Sequence, residues 1–239
     1  MTYIEGFLTP VPTANRDRYL DHARAAVPMF KDFGAARMVE AWGEDVPRGQ
    51  RNDLWMAVAA EEGEAVVFSW FEYPDKATRD AANARMMADP RLAEMMQDMP
   101  FDGGRMIMGG FDSVSDAGSG SGRNAGFIDG VVLPLKADAR ETYRDFASSL
   151  APIFLEFGAL RVLDAVADDV PTGERTDFYR AVCAEKGEPP AFGFVEWPDR
   201  ATRDAGWNAI MADPRMQDQT PPFDGKRMIF GGFAVIVDA

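Results

Sequence analysis

The chain has 239 residues, 46% hydrophobic and 27% charged, a balance that excludes a disordered or fibrous protein and allows one large or two small globular domains. Its formal net charge of −14 opposes a phosphate backbone, which is held through Lys and Arg, so nucleic acid is not an expected partner. Cys183 is the only cysteine, which excludes an intrachain disulfide and a Cys-based zinc site. No run approaches the roughly 18 apolar residues of a membrane helix, and the first residues lack a secretory pattern, so the expectation is a cytoplasmic protein with no membrane partner.

In chain order, residues 3–9 carry aromatic and β-branched side chains and read as a strand closed by Pro10. Tyr19, Ala23, Ala26, Val27 and Phe30 then fall on one face of a helix, with Gly34 suited to its left-handed cap. Pro28 lies inside that pattern and predicts a kink or a break. Residues 36–44, 53–60 and 66–73 read as three strands, the last two separated by the turn Glu61-Glu62-Gly63-Glu64. Asp75, just after a proline, is a good N-cap for a second helix that runs to Asp89-Pro90 or slightly past it. A final strand covers about 105–114. The order is β-α-β-β-(β)-α-β, a split βαβ or ferredoxin-like plan with one extra strand.

The whole pattern occurs twice. Phe33-Gly34-Ala35 recurs as Phe157-Gly158-Ala159, an offset of 124 that also relates Asp45-Val46-Pro47 to Asp169-Val170-Pro171 and Met87-Ala88-Asp89-Pro90-Arg91 to Met211-Ala212-Asp213-Pro214-Arg215. Beyond the second helix the offset falls to 122, relating Pro100-Phe101-Asp102-Gly103 to Pro222-Phe223-Asp224-Gly225, so the second copy lacks two residues there. The expected organisation is a ferredoxin-like copy over 1–115, a Gly/Ser linker over 116–124 with a reach of roughly 17 Å, and a second copy over 125–239. Each sheet would have helices on one face only. Its other face needs cover, and the second copy supplies it, so the two sheets are expected to pack face to face as an intramolecular sandwich or barrel.

Tyr3-Ile4-Glu5-Gly6-Phe7, Phe33-Gly34-Ala35 with Arg37 and Glu40, Asp45-Val46-Pro47 and the run from Val66 to Pro74 resemble the YbaA-like bacterial family of unknown function. So do Arg79-Asp80-Ala81-Ala82-Asn83, the run from Met86 to Arg91, Met99-Pro100-Phe101-Asp102-Gly103, Arg105-Met106-Ile107 and Gly109-Gly110-Phe111. The resemblance covers nearly all of both copies. It implies a dimeric α+β barrel in which two subunits that usually pair are fused, and it implies no particular reaction. The second copy departs from the pattern at Pro189-Pro190 and at Gly206-Trp207-Asn208.

Strand side chains alternate between faces. That alternation groups Tyr3, Glu5 and Phe7, then Met38, Glu40 and Trp42, then Phe68, Trp70 and Glu72. The second-copy counterparts are Phe127, Asp129 and Val131, then Val162, Asp164 and Val166, then Phe192, Phe194 and Glu196. An acid desolvated among aromatic rings has its charged form disfavoured, which tunes a proton-transfer group toward neutrality. The candidate pocket residues are therefore Glu5, Glu40, Trp42, Trp70, Glu72, Asp129, Asp164 and Glu196, with Arg105 and Arg227 as counter-charges. Glu40, Glu72, Asp164 and Glu196 are expected around one cavity. The competing reading pairs these acids structurally with Arg37, Arg105, Arg161 and Arg227, or leaves them on an exposed rim. His22 is the only histidine and is replaced by Phe146 in the second copy, so no metal site and no cofactor are expected. Two functional readings follow. One is a protein that binds a small molecule, with a pocket between sheet and helices or between the sheets; the other is a non-catalytic binding or regulatory module whose inter-copy space is filled.

Overall fold

A computed structural model describes residues 2–118, 125–217 and 219–239 of the chain. Its first half runs β1 (Tyr3–Pro12), α1 (Arg16–Phe33), β2 (Arg37–Asp45), α2 (Leu54–Ala57), β3 (Glu64–Tyr73), α3 (Lys76–Ala88), α4 (Pro90–Gln97) and β4 (Ile107–Gly118). Its second half repeats the order as β5 (Phe127–Pro134), α5 (Arg140–Glu156), β6 (Arg161–Asp169), α6 (Phe178–Ala181), β7 (Pro190–Trp197), α7 (Arg200–Ala212), α8 (Pro214–Gln217) and β8 (Ile229–Asp238). None of the helices among these residues is long and apolar enough to cross a membrane.

The strands form one closed antiparallel barrel in the order β1-β3-β2-β8-β5-β7-β6-β4. Each half contributes four adjacent strands, and the edges that each leaves open are paired by the other half, β2 with β8 and β4 with β6. Exposed strand edges are thereby abolished. Ile4 and Leu8 of β1, Val39 and Ala41 of β2 and Phe68 and Trp70 of β3 point inward and meet their second-half counterparts in a single core. That core is filled: Phe68 stacks on Phe192 with ring centroids 4.5 Å apart, and Trp70 on Phe194 at 3.9 Å. Gly6 and Gly130 make the stacking possible, since a Cβ on either would stand 2.6–2.8 Å from the ring of Phe192 or Phe68. The outer face of the sheet carries the long helices.

Several expectations change. Residues 53–60 form no strand. The Asp53 side chain accepts from the Met56 amide and caps the single turn of α2. Leu54, Ala57 and Val58 then fall on one face at helical spacing and enter the barrel core, as Phe178, Ala181 and Val182 do from α6. The two short helices thus plug one end of the barrel. Pro28 and Pro152 lie within α1 and α5, which continue through them. In place of one second helix there are two, because Asp89 ends α3 and its side chain caps α4 with Pro90 at the first position. Residues 116–118 of the expected linker belong to β4 and pair with β6. The rest of that linker, 119–124, lies outside the described residues.

Candidate functional site

Register sorts the candidate acids into three separate places. On the outer face of β2, Glu40 is buried and accepts a hydrogen bond of 2.6 Å from Tyr19 of α1. The Ser69 hydroxyl, opposite it on β3, is a second partner. Burial pushes the Glu40 carboxyl above the usual carboxylate range, against the two hydrogen bonds that hold it down. Trp42 lies on the same face, with its ring centroid 6.4 Å from that of Tyr19. Glu5 is buried nearby, accepting from Asn83 at 3.3 Å and lying 3.5 Å from Arg79 Nε.

Glu72, Glu196 and Trp70 point the other way, into the barrel at the end opposite the two plugging helices. There Arg37 donates to Glu196 through two nitrogens, at 2.7 and 3.0 Å, and Arg161 donates to Glu72 at 2.7 Å. Each arginine also grips an aspartate of the other half, Arg37 with Asp238 and Arg161 with Asp116. Trp70 Nε1 donates to Glu72 at 3.0 Å. Glu72 and Glu196 are therefore structural partners of Arg37 and Arg161. Burial raises the Glu196 carboxyl, with Arg37 as the main opposing influence.

Arg105 and Arg227 are counter-charges to neither cluster. Arg105 donates to Glu64 at 2.7 Å and to Asp102 at 2.9 Å, at the end of β3 remote from Glu72. Arg227 is held in the same way by Glu188 and Asp224. A common cavity for Glu40, Glu72, Asp164 and Glu196 does not exist, because Glu40 and Asp164 face outward on the two halves while Glu72 and Glu196 face inward. The alternation of strand side chains forces this division: Glu40 pairs in register with Ser69, not with Phe68, Trp70 or Glu72.

What the structure does contain is a cavity of about 600 Å³ in the second half, between the outer face of the sheet and helices α5 and α7. Asp164 and Asp129 both line it. Tyr143 donates to Asp164 Oδ1 at 2.6 Å, the counterpart of the Tyr19 contact in the first half. Burial pushes the Asp164 carboxyl up to about 6, with the Tyr143 hydrogen bond pulling the other way. The same burial raises the Tyr143 hydroxyl well above the usual tyrosine range, so it stays a donor. Asp129 is saturated by Trp197 Nε1 at 2.8 Å, Trp207 Nε1 at 2.7 Å and Arg203 Nε at 2.8 Å. The remaining wall is largely apolar, with Phe146, Leu150 and Phe154 from α5, and the exposed Phe230 and Met211 also line the cavity.

The corresponding space in the first half is occupied. Where the second half has Val131, Val162 and Val195, the first has Phe7, Met38 and Phe71. Phe71 contacts Phe7 at 4.9 Å and Phe30 at 4.6 Å between ring centroids, and Met95 of α4 packs against the same cluster. Aligning the copies position by position shows these exchanges, yet Tyr143, Arg203 and Trp207 carry no signal as site residues. Tyr143 reads as one more apolar position of a helix face, and Trp207 as a departure from the repeat. Among the described residues no group of three or more His, Cys, Asp and Glu is arranged to hold a metal ion.

The family model for "Protein of unknown function (DUF1428)" matches residues 2–103 and 126–225, one match in each half. The chain belongs to this family. The uncharacterised protein YbaA of Escherichia coli K12, and that of Shigella flexneri, are 56% identical over 116 residues, which is 48% of this chain and 99% of theirs. Among solved structures, a putative monooxygenase from Fusobacterium nucleatum superposes with a TM-score of 0.62 at 11% identity, covering 99% of this chain and 93% of its own. One from Lactobacillus acidophilus gives 0.58 at 10%, covering 100% and 95%. At such identities the likeness concerns the fold, a dimeric α+β barrel closed here within a single chain.

Proposed function

We propose that this DUF1428 chain is a pair of fused ferredoxin-like domains, residues 1–115 and 125–239 joined through 116–124, and that it binds a small, mainly apolar molecule in the second domain. The observation that carries this reading is the cavity of about 600 Å³ between sheet and helices, within the size range of small-molecule sites. Its wall is mainly apolar with a few polar groups, among them Asp129, Tyr143, Asp164 and Arg203, the composition expected of a small-molecule site. The names of the structural neighbours, two putative monooxygenases, are compatible with a small-molecule site and assign no reaction to this chain.

The filled barrel interior supports a second statement, that the inter-copy core is structural, as in a non-catalytic module. It bears on the space between the sheets and leaves the cavity outside the barrel as the binding site. The test is titration with the uncharged fluorophore N-phenyl-1-naphthylamine. The chain should bind one equivalent, and the double variant Val131→Phe/Val195→Phe, which gives the second half the side chains of the first, should weaken binding by at least about tenfold. Unchanged binding by a folded double variant would remove the cavity from the function.

A further inference from the structure

The two halves present the same outward carboxylate with different numbers of donors. In the first, Glu40 has both the Tyr19 and Ser69 hydroxyls. In the second, Tyr143 is the one hydrogen-bond donor to Asp164 among the described residues, and Gly193 stands where the first half has Ser69. Gly193 removes that second donor, and it lies against Asp164 Oδ1, the oxygen that Tyr143 holds. Asp164 itself is only half-buried and lines the cavity. A donor aimed at a partly desolvated carboxylate forms one of the stronger hydrogen bonds available in a protein.

The other polar groups of the cavity cannot act as alternative anchors. Asp129 is saturated by two indoles and a guanidinium, and Arg203 spends its nitrogens on Asp129, Asp45 and Asp204. With Tyr143 turned to Asp164, the site offers an entering molecule an acceptor and no committed donor. The protein's charge of −14 also disfavours an anionic ligand.

We infer that the second-half cavity takes an apolar ligand bearing one hydrogen-bond donor, an ammonium or a hydroxyl, that binds Asp164 from the cavity and supplies the second donor this carboxylate lacks. This inference rests on the binding reading above and specifies the ligand's chemistry. An ammonium gives the tighter complex because it also neutralises the carboxylate.

A matched series separates the possibilities: 1-naphthylmethylamine, 2-naphthol, naphthalene and 2-naphthoate, each titrated against the full chain at pH 7.5 and pH 5. At pH 7.5 the amine should bind roughly ten- to a hundredfold more tightly than naphthalene, the naphthol in between, and the naphthoate most weakly. At pH 5 the amine's advantage should shrink, because Asp164, whose titrating neighbours in the cavity are Tyr143, Asp129 and Arg203, is then mostly protonated. Asp164→Asn should bring amine and naphthalene within about threefold of each other at both pH values. The double variant Asp164→Glu/Gly193→Ser, which recreates the Glu40 and Ser69 pair, should do the same. Naphthalene bound as tightly as the amine, or naphthoate bound more tightly, overturns the donor requirement while leaving the cavity as a binding site. Failure of all four compounds to bind removes both readings.

Discussion

The first and second halves of this chain share their strands, their helix order and an outward carboxylate held by a helix tyrosine, and they differ in what lies around that carboxylate. Around Glu40, Phe7, Phe71 and Met38 close the space between sheet and helices; around Asp164, three valines leave it open. In a duplicated chain one copy is tightly packed beside its sheet while the other keeps a cavity there. The barrel itself demands that both copies remain, since each pairs the other's open edges. A cavity thus accompanies smaller side chains at a few positions of a repeated fold, tolerated because the paired half and the filled barrel supply the core.

The strongest way to break the comparison is to open the closed half. Phe71→Ala should destabilise by about 3 to 5 kcal/mol, while Val195→Ala, which already faces open space, should cost about 1 kcal/mol or less. Urea denaturation of the two variants measures the difference, and equal losses would mean that the halves are packed alike. A similar loss, about 3 to 5 kcal/mol, is expected from Arg37→Met and from Arg161→Met, because each strands buried carboxylates at the end of the barrel opposite the plugging helices. Here the halves should behave equally. A large inequality between the two would show that the two arginines do not carry equivalent loads.

A smaller effect concerns pH. The folded Asp164 carboxyl titrates at about 6, above its ordinary value of 3.8. A raised carboxylate value means that the folded state binds the proton more tightly, so the contribution is fully present below about 4 and is lost as pH rises through 6. Asp164→Asn should remove that dependence and be more stable than the parent by roughly 1 to 3 kcal/mol at pH 7.5, with little difference at pH 4. Stability curves of parent and variant across that window decide it, and a difference between them that does not grow from pH 4 to pH 7 would contradict the assignment. The smallest effect expected is that of Glu40→Gln on ligand binding. The change keeps the Tyr19 contact in the filled half, so binding of N-phenyl-1-naphthylamine should stay within about twofold of the parent. A larger loss would place a second site in the first half.

The repeat, the helix carrying Tyr19 and Ala23, the outer strands and the family were all legible in the sequence, because collinear identities and 3.6- or 2-residue periodicity are local properties. The segment 53–60 reads as a strand for a local reason too. Leu54, Ala57 and Val58 make so short an apolar run that only the Asp53 cap distinguishes it from a strand.

The division of the acids was beyond local reading. Alternation correctly groups Glu40 with Trp42 and Glu72 with Trp70, but it carries no sign, and which group faces the barrel is fixed by the register of β2 against β3 and by closure with the other half. The same holds for the cavity. Val131, Val162 and Val195 are ordinary strand residues wherever they stand, and they become the wall of a pocket only by facing α5 and α7 where the first half has Phe7, Met38 and Phe71. Sequence by itself determined the elements and their duplication, which depend on neighbours along the chain. Tertiary structure alone decided which carboxylate is paired, which is left facing a cavity and which half is hollow, because those properties depend on side chains brought together across the sheet and across the pseudo-two-fold, and free volume has no signature in a linear pattern.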